Sequence, residues 1–333
     1  MQYVRFGNAG IEVSRLALGC MDFPVKQDEA TCQRILDQAL DKGVNLLDTA
    51  DTYGNGESEK VLGKILKGKR DRIILATKFW ANLERRPNGG GCSRVHIIQA
   101  LDDSLKRLKT DYVDLYQLHH PDAKTPVEET ISTLDTLVKQ GKIRYYGVSN
   151  HYAWQMAHML GVSALHNWEP LVSVQCRYNI IDRAVESEIV PFVQRFNIAT
   201  MIYGPLNGGI LTGEYRKGEA LPEDTRVGTH KRYQRKLTDE TYELLDKLKE
   251  IAGRYGLSTA NLAFAWLLSK PCVTTVLMGG SKPEHFEAVY GVEEIAIEPA
   301  DIERIDTLSE KWRYIPFHNQ SVVEGAPLGL NWW

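Results

Sequence analysis

Short apolar runs alternate with longer amphipathic segments along almost the whole chain, and this alternation limits the fold more than any other feature. The apolar runs are 15–18, 44–47, 72–77, 112–118, 143–148, 171–175, 199–202 and 274–277. They are continuous rather than alternating, the pattern of parallel strands buried on both faces. The segments between them have helical periodicity: 28–42, 58–66, 93–108, 127–140, 152–160, 185–196, 239–255 with 258–268, and 283–290. Ser93 is placed as an N-cap, and Gly43 and Gly141 as left-handed glycines that end a helix and lead straight into a strand. Eight strand–helix units predict an α/β fold, a (β/α)8 TIM barrel occupying 1–333 as one domain. A doubly wound sheet is the competing arrangement. The GxGxxG turn expected after its first strand is missing, as is a GxxxxGK[S/T] phosphate loop.

Three stretches depart from the alternation. Residues 2–13, centred on Gly7-Asn8-Ala9-Gly10, read as an N-terminal hairpin capping the barrel floor. Residues 80–92 and 204–236 are long loops after the third and seventh strands, so both are expected at the C-terminal face. The tail, 313–333, ends in Trp332-Trp333, which points to packing over a pocket mouth or against a second copy of the chain.

Charge narrows the partners. A net charge of -3 and a pI near 6.3 give no expectation of nucleic acid or an anionic membrane. No apolar stretch approaches the ~20 residues of a membrane helix, and Met1–Arg5 lacks the charged start and apolar middle of a secretory leader. Cys20, Cys32, Cys92, Cys176 and Cys272 are dispersed without metal spacing. They read as reduced thiols of a cytoplasmic protein, with no metal site.

Four polar residues follow apolar runs where a barrel gathers its chemistry: Asp48, Tyr53, Lys78 and His119. Each alone has an ordinary explanation as a cap, a packing residue or a solvated charge. Together they form a device. Asp48 pairs with Lys78, Lys78 lowers the pKa of the Tyr53 phenol from about 10, and His119 supplies a hydrogen bond to a substrate oxygen. His120 beside it is the rival imidazole. Such a set suits protonation of a developing alkoxide. No side chain supplies hydride, so a nicotinamide cofactor is implied.

The segment Gly43-Val44-Asn45-Leu46-Leu47-Asp48-Thr49-Ala50-Asp51-Thr52-Tyr53-Gly54 resembles a signature of the aldo-keto reductase superfamily. So do Asp114-Leu115-Tyr116-Gln117-Leu118-His119-His120-Pro121-Asp122, Gly141–Asn150, and the 203–213 loop with its Tyr203-Gly204-Pro205-Leu206 start. The resemblance implies an NAD(P)H-dependent oxidoreductase interconverting aldehydes, ketones or sugar carbonyls and alcohols. Asp48, Tyr53, Lys78 and His119 would form its catalytic tetrad, with Tyr53 the proton donor. It also implies that Ser149, Asn150 and Gln175 hold the nicotinamide carboxamide and that Tyr203 stacks on the ring. Gly204, Pro205, Leu206 and Gly208 would follow the pyrophosphate, and Gly279, Ser281, Lys282 and His285 would meet the 2'-phosphate. Cys20 and Met21 are counted with the cofactor residues. NADP(H) is favoured over NAD(H), although His285 and Val289 stand where the family pattern has Gln and Asn. Phe23, Trp80 and His120 are expected in the substrate pocket. The same resemblance extends to voltage-gated potassium channel beta subunits, so the alternative is a cofactor-binding regulatory subunit with little turnover. A metal-dependent barrel hydrolase is a third reading, for which His119 and His120 are too few ligands.

Overall fold

The computed structural model describes residues 1–313. Two short antiparallel strands, β1 (Tyr3–Arg5) and β2 (Glu12–Ser14), come first. Eight parallel strands follow: β3 (Leu16–Gly19), β4 (Leu46–Asp48), β5 (Ile74–Phe79), β6 (Val113–Leu118), β7 (Ile143–Ser149), β8 (Ser173–Arg177), β9 (Ala199–Tyr203) and β10 (Thr275–Met278). They pair in chain order, and β10 closes on β3 to complete the (β/α)8 barrel. Helices surround it, so both faces of every strand are covered, as the unbroken apolar runs require.

Strand periodicity divides the barrel interior into a floor and a mouth. Inward residues recur every second position. The lower ones are apolar: Ala17, Leu46, Ala76, Leu115 and Ala199 pack with Phe6 and Val13 of the hairpin. The hairpin therefore plugs the N-terminal end, as expected. The next inward position up is polar on several strands: Asp48, Lys78, Gln117 and Gln175, all buried.

Capping chemistry sets the helix ends. The Ser93 hydroxyl accepts from the His96 N–H, and Gly43, with φ of 85°, turns Glu29–Asp41 into β4 at a dihedral other side chains resist. Most departures from expectation are at boundaries. Helix Ala153–His166 runs past Gly161, because burial of Met159, Val162 and Ser163 outweighs the ~1 kcal/mol cost of a helical glycine. Segment 185–196 splits into a 3-10 turn, Ala184–Ser187, and a helix, Ile189–Phe196. Helix Pro283–Glu287 is shorter than expected, and Pro299–Leu308 was not anticipated. The loop after β9 is not plain coil. It holds a 3-10 segment, Asn207–Thr212, and the short helices Arg226–Thr229 and Lys231–Gln234. The tail expected at 313–333 lies outside the described residues apart from Arg313.

Candidate active site

Lys78 organises the barrel mouth. Carried inward by β5, it is fully buried. Its Nζ donates to Asp48 Oδ2 at 2.6 Å and to the Thr49 carbonyl at 2.8 Å, and reaches the Tyr53 hydroxyl at 3.1 Å. An ammonium has three N–H bonds, and these partners take all of them. The charge is thus fixed in place and aimed at the phenol. Asp48 ends β4 and is 2% exposed. Its Oδ1 accepts from Gln175 Nε2 at 2.8 Å and Gln117 Nε2 at 3.2 Å. Tyr53 enters from the 3-10 turn Tyr53–Gly56 that leaves the mouth side of β4.

Burial alone would depress the Lys78 ammonium, but the Asp48 carboxylate and then Tyr53 outweigh it, and its pKa ends above the usual lysine value. Burial raises the Tyr53 phenol, Lys78 opposes the rise, and Asp48 adds to it. The phenol therefore lies above its ordinary value, contrary to the expectation that Lys78 would bring it below. Phenolate loses more solvation at this site than one shared ammonium returns. The consequence is a phenol that keeps its proton at neutral pH.

The structure separates the two histidines. The His119 ring meets the Tyr53 ring edge-on, with centroids 5.9 Å apart at 81°. His120 stacks behind it at 5.0 Å and contacts Trp80, also at 5.0 Å. Burial, with Lys78 and His120 nearby, drives the His119 pKa down to about 2, so its ring is neutral.

Ser149, Asn150, Gln175 and Tyr203 also converge. Tyr203 donates its hydroxyl proton to Asn150 Oδ1 at 2.7 Å, and Asn150 Nδ2 donates to Ser149 Oγ and the His119 carbonyl, each at 3.0 Å. The Asn150 N–H donates to the Gln175 carbonyl at 3.1 Å. Because β9 and β10 are neighbours, the loop after Tyr203 lies beside the one holding Gly279 and Gly280. Asn179 Nδ2 holds the Gly204 carbonyl at 2.8 Å, Pro205 is buried, and Leu206 and Gly208 are half-buried. Ser281 N–H donates to His285 Nδ1 at 3.2 Å, while Lys282 and His285 stay exposed.

The remaining expected residues differ in how open they are, Cys20 lying close to Tyr53, Asp48 and Lys78. Cys20 is fully buried, and its backbone is consumed by the Asp48 carbonyl and the Ser58 hydroxyl; Met21 beside it is 42% exposed. Phe23 is buried in the main apolar cluster rather than on an open wall. Trp80 is half-buried at the mouth, its indole N–H on the Pro121 carbonyl at 3.2 Å. Val289 belongs to the core.

Other residues here were not anticipated. Gln117 sits one strand period before His119, which was a usable signal. The Arg177 guanidinium lies 5.5 Å from the Tyr203 ring centroid. Arg226 Nη2 donates to both carboxylate oxygens of Asp22, at 3.0 and 2.8 Å, tying the loop after β9 to the loop after β3. Nothing local in either loop announces that contact. Among the described residues, no three His, Cys, Asp or Glu side chains converge as metal ligands. No helix among them is long and apolar enough to cross a membrane.

Comparison with known proteins agrees with this geometry. The model of the Aldo/keto reductase family matches residues 15–310. The chain is 35% identical to Aldo-keto reductase YhdN of Bacillus subtilis (strain 168), covering 93% of this chain and 94% of the relative. It is 34% identical to L-glyceraldehyde 3-phosphate reductase of Escherichia coli O157:H7, covering 92% of each. It is 36% identical to a protein of Oryza sativa subsp. japonica named "Probable voltage-gated potassium channel subunit beta", covering 85% and 88%. With a match over nearly its whole length and the barrel closed as that match requires, the chain belongs to the aldo/keto reductase family and is an NAD(P)H-dependent oxidoreductase acting on small carbonyl compounds.

Proposed function

We propose that Tyr53 is the proton donor of this oxidoreductase, tuned and held by Lys78, with Asp48 anchoring Lys78 and His119 orienting the substrate carbonyl. The observation that carries this reading is Lys78 Nζ, buried and bonded at once to Asp48 and Tyr53. A neutral His119 donates one N–H to the carbonyl oxygen without competing for the proton Tyr53 must deliver. Bound nicotinamide supplies the hydride.

The residues fit such a cofactor. The Ser149–Asn150–Gln175 cluster offers amide and hydroxyl groups, and Tyr203 presents a half-buried ring beside it. Around the same rim, the site where a Cβ would stand on Gly279 is open, and Lys282 is an exposed cation. Lys282 favours NADP(H) over NAD(H). Trp80 and His120, in contact at the mouth, form part of the substrate-pocket wall, and Met21 belongs with the cofactor residues. Five free thiols suit a cytoplasmic setting. Homo-oligomerisation through the C-terminal tail is part of this proposal, and sedimentation velocity of full-length and tail-truncated chains tests it.

Tyr53→Phe should lower turnover by about 10²–10⁴-fold, the usual worth of a positioned proton donor, with cofactor binding retained. Steady-state kinetics on an aldehyde, ketone and sugar panel, beside NADPH and NADH fluorescence titrations, measure both. Undiminished turnover in Tyr53→Phe would sink the mechanism. Cofactor binding without turnover in the wild type would favour the regulatory-subunit reading.

A further inference from the structure

We propose that Gln117 is a positioning residue that keeps Asp48 seated on Lys78 while Gln175 turns its amide to a bound nicotinamide. This rests on the cofactor reading above. Asp48 Oδ1 accepts from two glutamine amides, one for each of its lone-pair sites. Both lie in the same buried layer, on alternate strands, but they keep different neighbours. Gln175 pairs in register with Ser149, within the cluster that faces the cofactor. Gln117 pairs with Gly147, two residues earlier on the same strand, and is 0% exposed. An amide facing a ligand must be free to turn. If Gln175 were the sole donor to Oδ1, its turning would leave that buried carboxylate oxygen with no donor at all, a costly loss at a charged group. Gln117 pairs with Gly147 instead of the Ser149–Asn150 cluster and holds Oδ1 throughout.

The cost of Gln117 at this position supports a functional role. Its Oε1 is buried and has no protein partner. A Met or Leu would fill the same space without stranding a polar atom. Flipping the amide would bring Oε1 against the Asp48 carboxylate, so the orphaned acceptor follows from serving Asp48. A locally unfavourable choice beside the chemistry is where function overrides stability.

The test compares wild type with Gln117→Met, Gln117→Leu and Gln117→Asn. Two ligands are titrated: NADPH, and 2',5'-ADP, which has no nicotinamide. If the wild type prefers NADH, NADH and ADP replace them. Loss of a hydrogen bond to a charged group predicts NADPH binding weakened on the order of tenfold. Binding of 2',5'-ADP should stay unchanged, which also reports an intact fold. In a Gln175→Met background, Gln117→Met should add no further loss. The proposal is overturned by unchanged NADPH affinity in the Gln117 variants, by equal losses for both ligands, or by variants that bind neither. Failure of the wild type to bind either dinucleotide would instead refute the cofactor reading.

Discussion

At the scale of single residues, burial decides which proton sits where. Tyr53 is held above its ordinary value mainly by desolvation, so carbonyl reduction should run level through neutral pH. Its alkaline decline should come only above the ordinary phenol range, and a pH–rate profile checks this. A decline beginning near neutrality would show that Lys78 outweighs burial after all. His151 carries the opposite kind of prediction. It is 8% exposed, its Nδ1 is 2.8 Å from the Ser149 carbonyl, and burial brings its pKa down to about 4. The unfolded chain takes up this proton near pH 6.5, whereas the native ring refuses it until about 4. Native stability from this group is therefore complete above pH 6.5 and is lost as pH falls from there. At pH 5 the loss is about 2 kcal/mol. Urea unfolding at pH 7 and pH 5 should show His151→Gln losing less stability than the wild type, by that amount.

At the scale of elements, the barrel works because its strands approach closely where the site needs room. Gly147 on β7 is the tightest such place. A Cβ there would lie 2.2 Å from Ser173 Oγ and 2.9 Å from the Ser173 carbonyl oxygen. Gly147→Ala should destabilise the fold by about 1–3 kcal/mol, as overpacking does. Adding Ser173→Ala should recover only part, because the carbonyl remains. Thermal melts of the single and double variants test this, and full recovery would mean that the backbone contact is harmless.

At the scale of the molecule, one buried arginine joins the barrel to helix Pro299–Leu308. Arg183 follows β8 and grips Glu186 through Nε at 2.7 Å and Nη2 at 2.9 Å. Its Nη1 donates to the Asp306 carbonyl at 2.7 Å and Ser309 Oγ at 2.8 Å, docking helix Pro299–Leu308. Glu186 also accepts from the Tyr178 hydroxyl at 2.8 Å and pairs with Arg313 Nε at 3.2 Å, so it keeps partners without Arg183, and the loss falls mainly on the Asp306 carbonyl and Ser309. Arg183→Met should lower stability by about 1–3 kcal/mol in urea unfolding, the cost of buried acceptors left without a donor. A loss under about 1 kcal/mol would show that water reaches those acceptors freely.

The sequence by itself determined the barrel, its hairpin plug and the four polar residues at its mouth. Those are written in short-range signals: apolar runs of strand length, capping residues, and polar side chains at strand ends. Such signals are local, so a single stretch of chain carries them. Strand ends were read one or two residues early, as at β5, which continues through Lys78 to Phe79, because pairing with β6 extends it. Helix Pro299–Leu308 went unseen because its docking depends on Arg183, over a hundred positions away. Only the tertiary structure decided that His119 rather than His120 meets Tyr53, that burial wins over Lys78 at the phenol, and that Gln117 and Gln175 share one carboxylate oxygen. Each of these depends on how deeply a group is buried and on which distant charges surround it. Desolvation and Coulomb energies act through space, and no local pattern of residues encodes them.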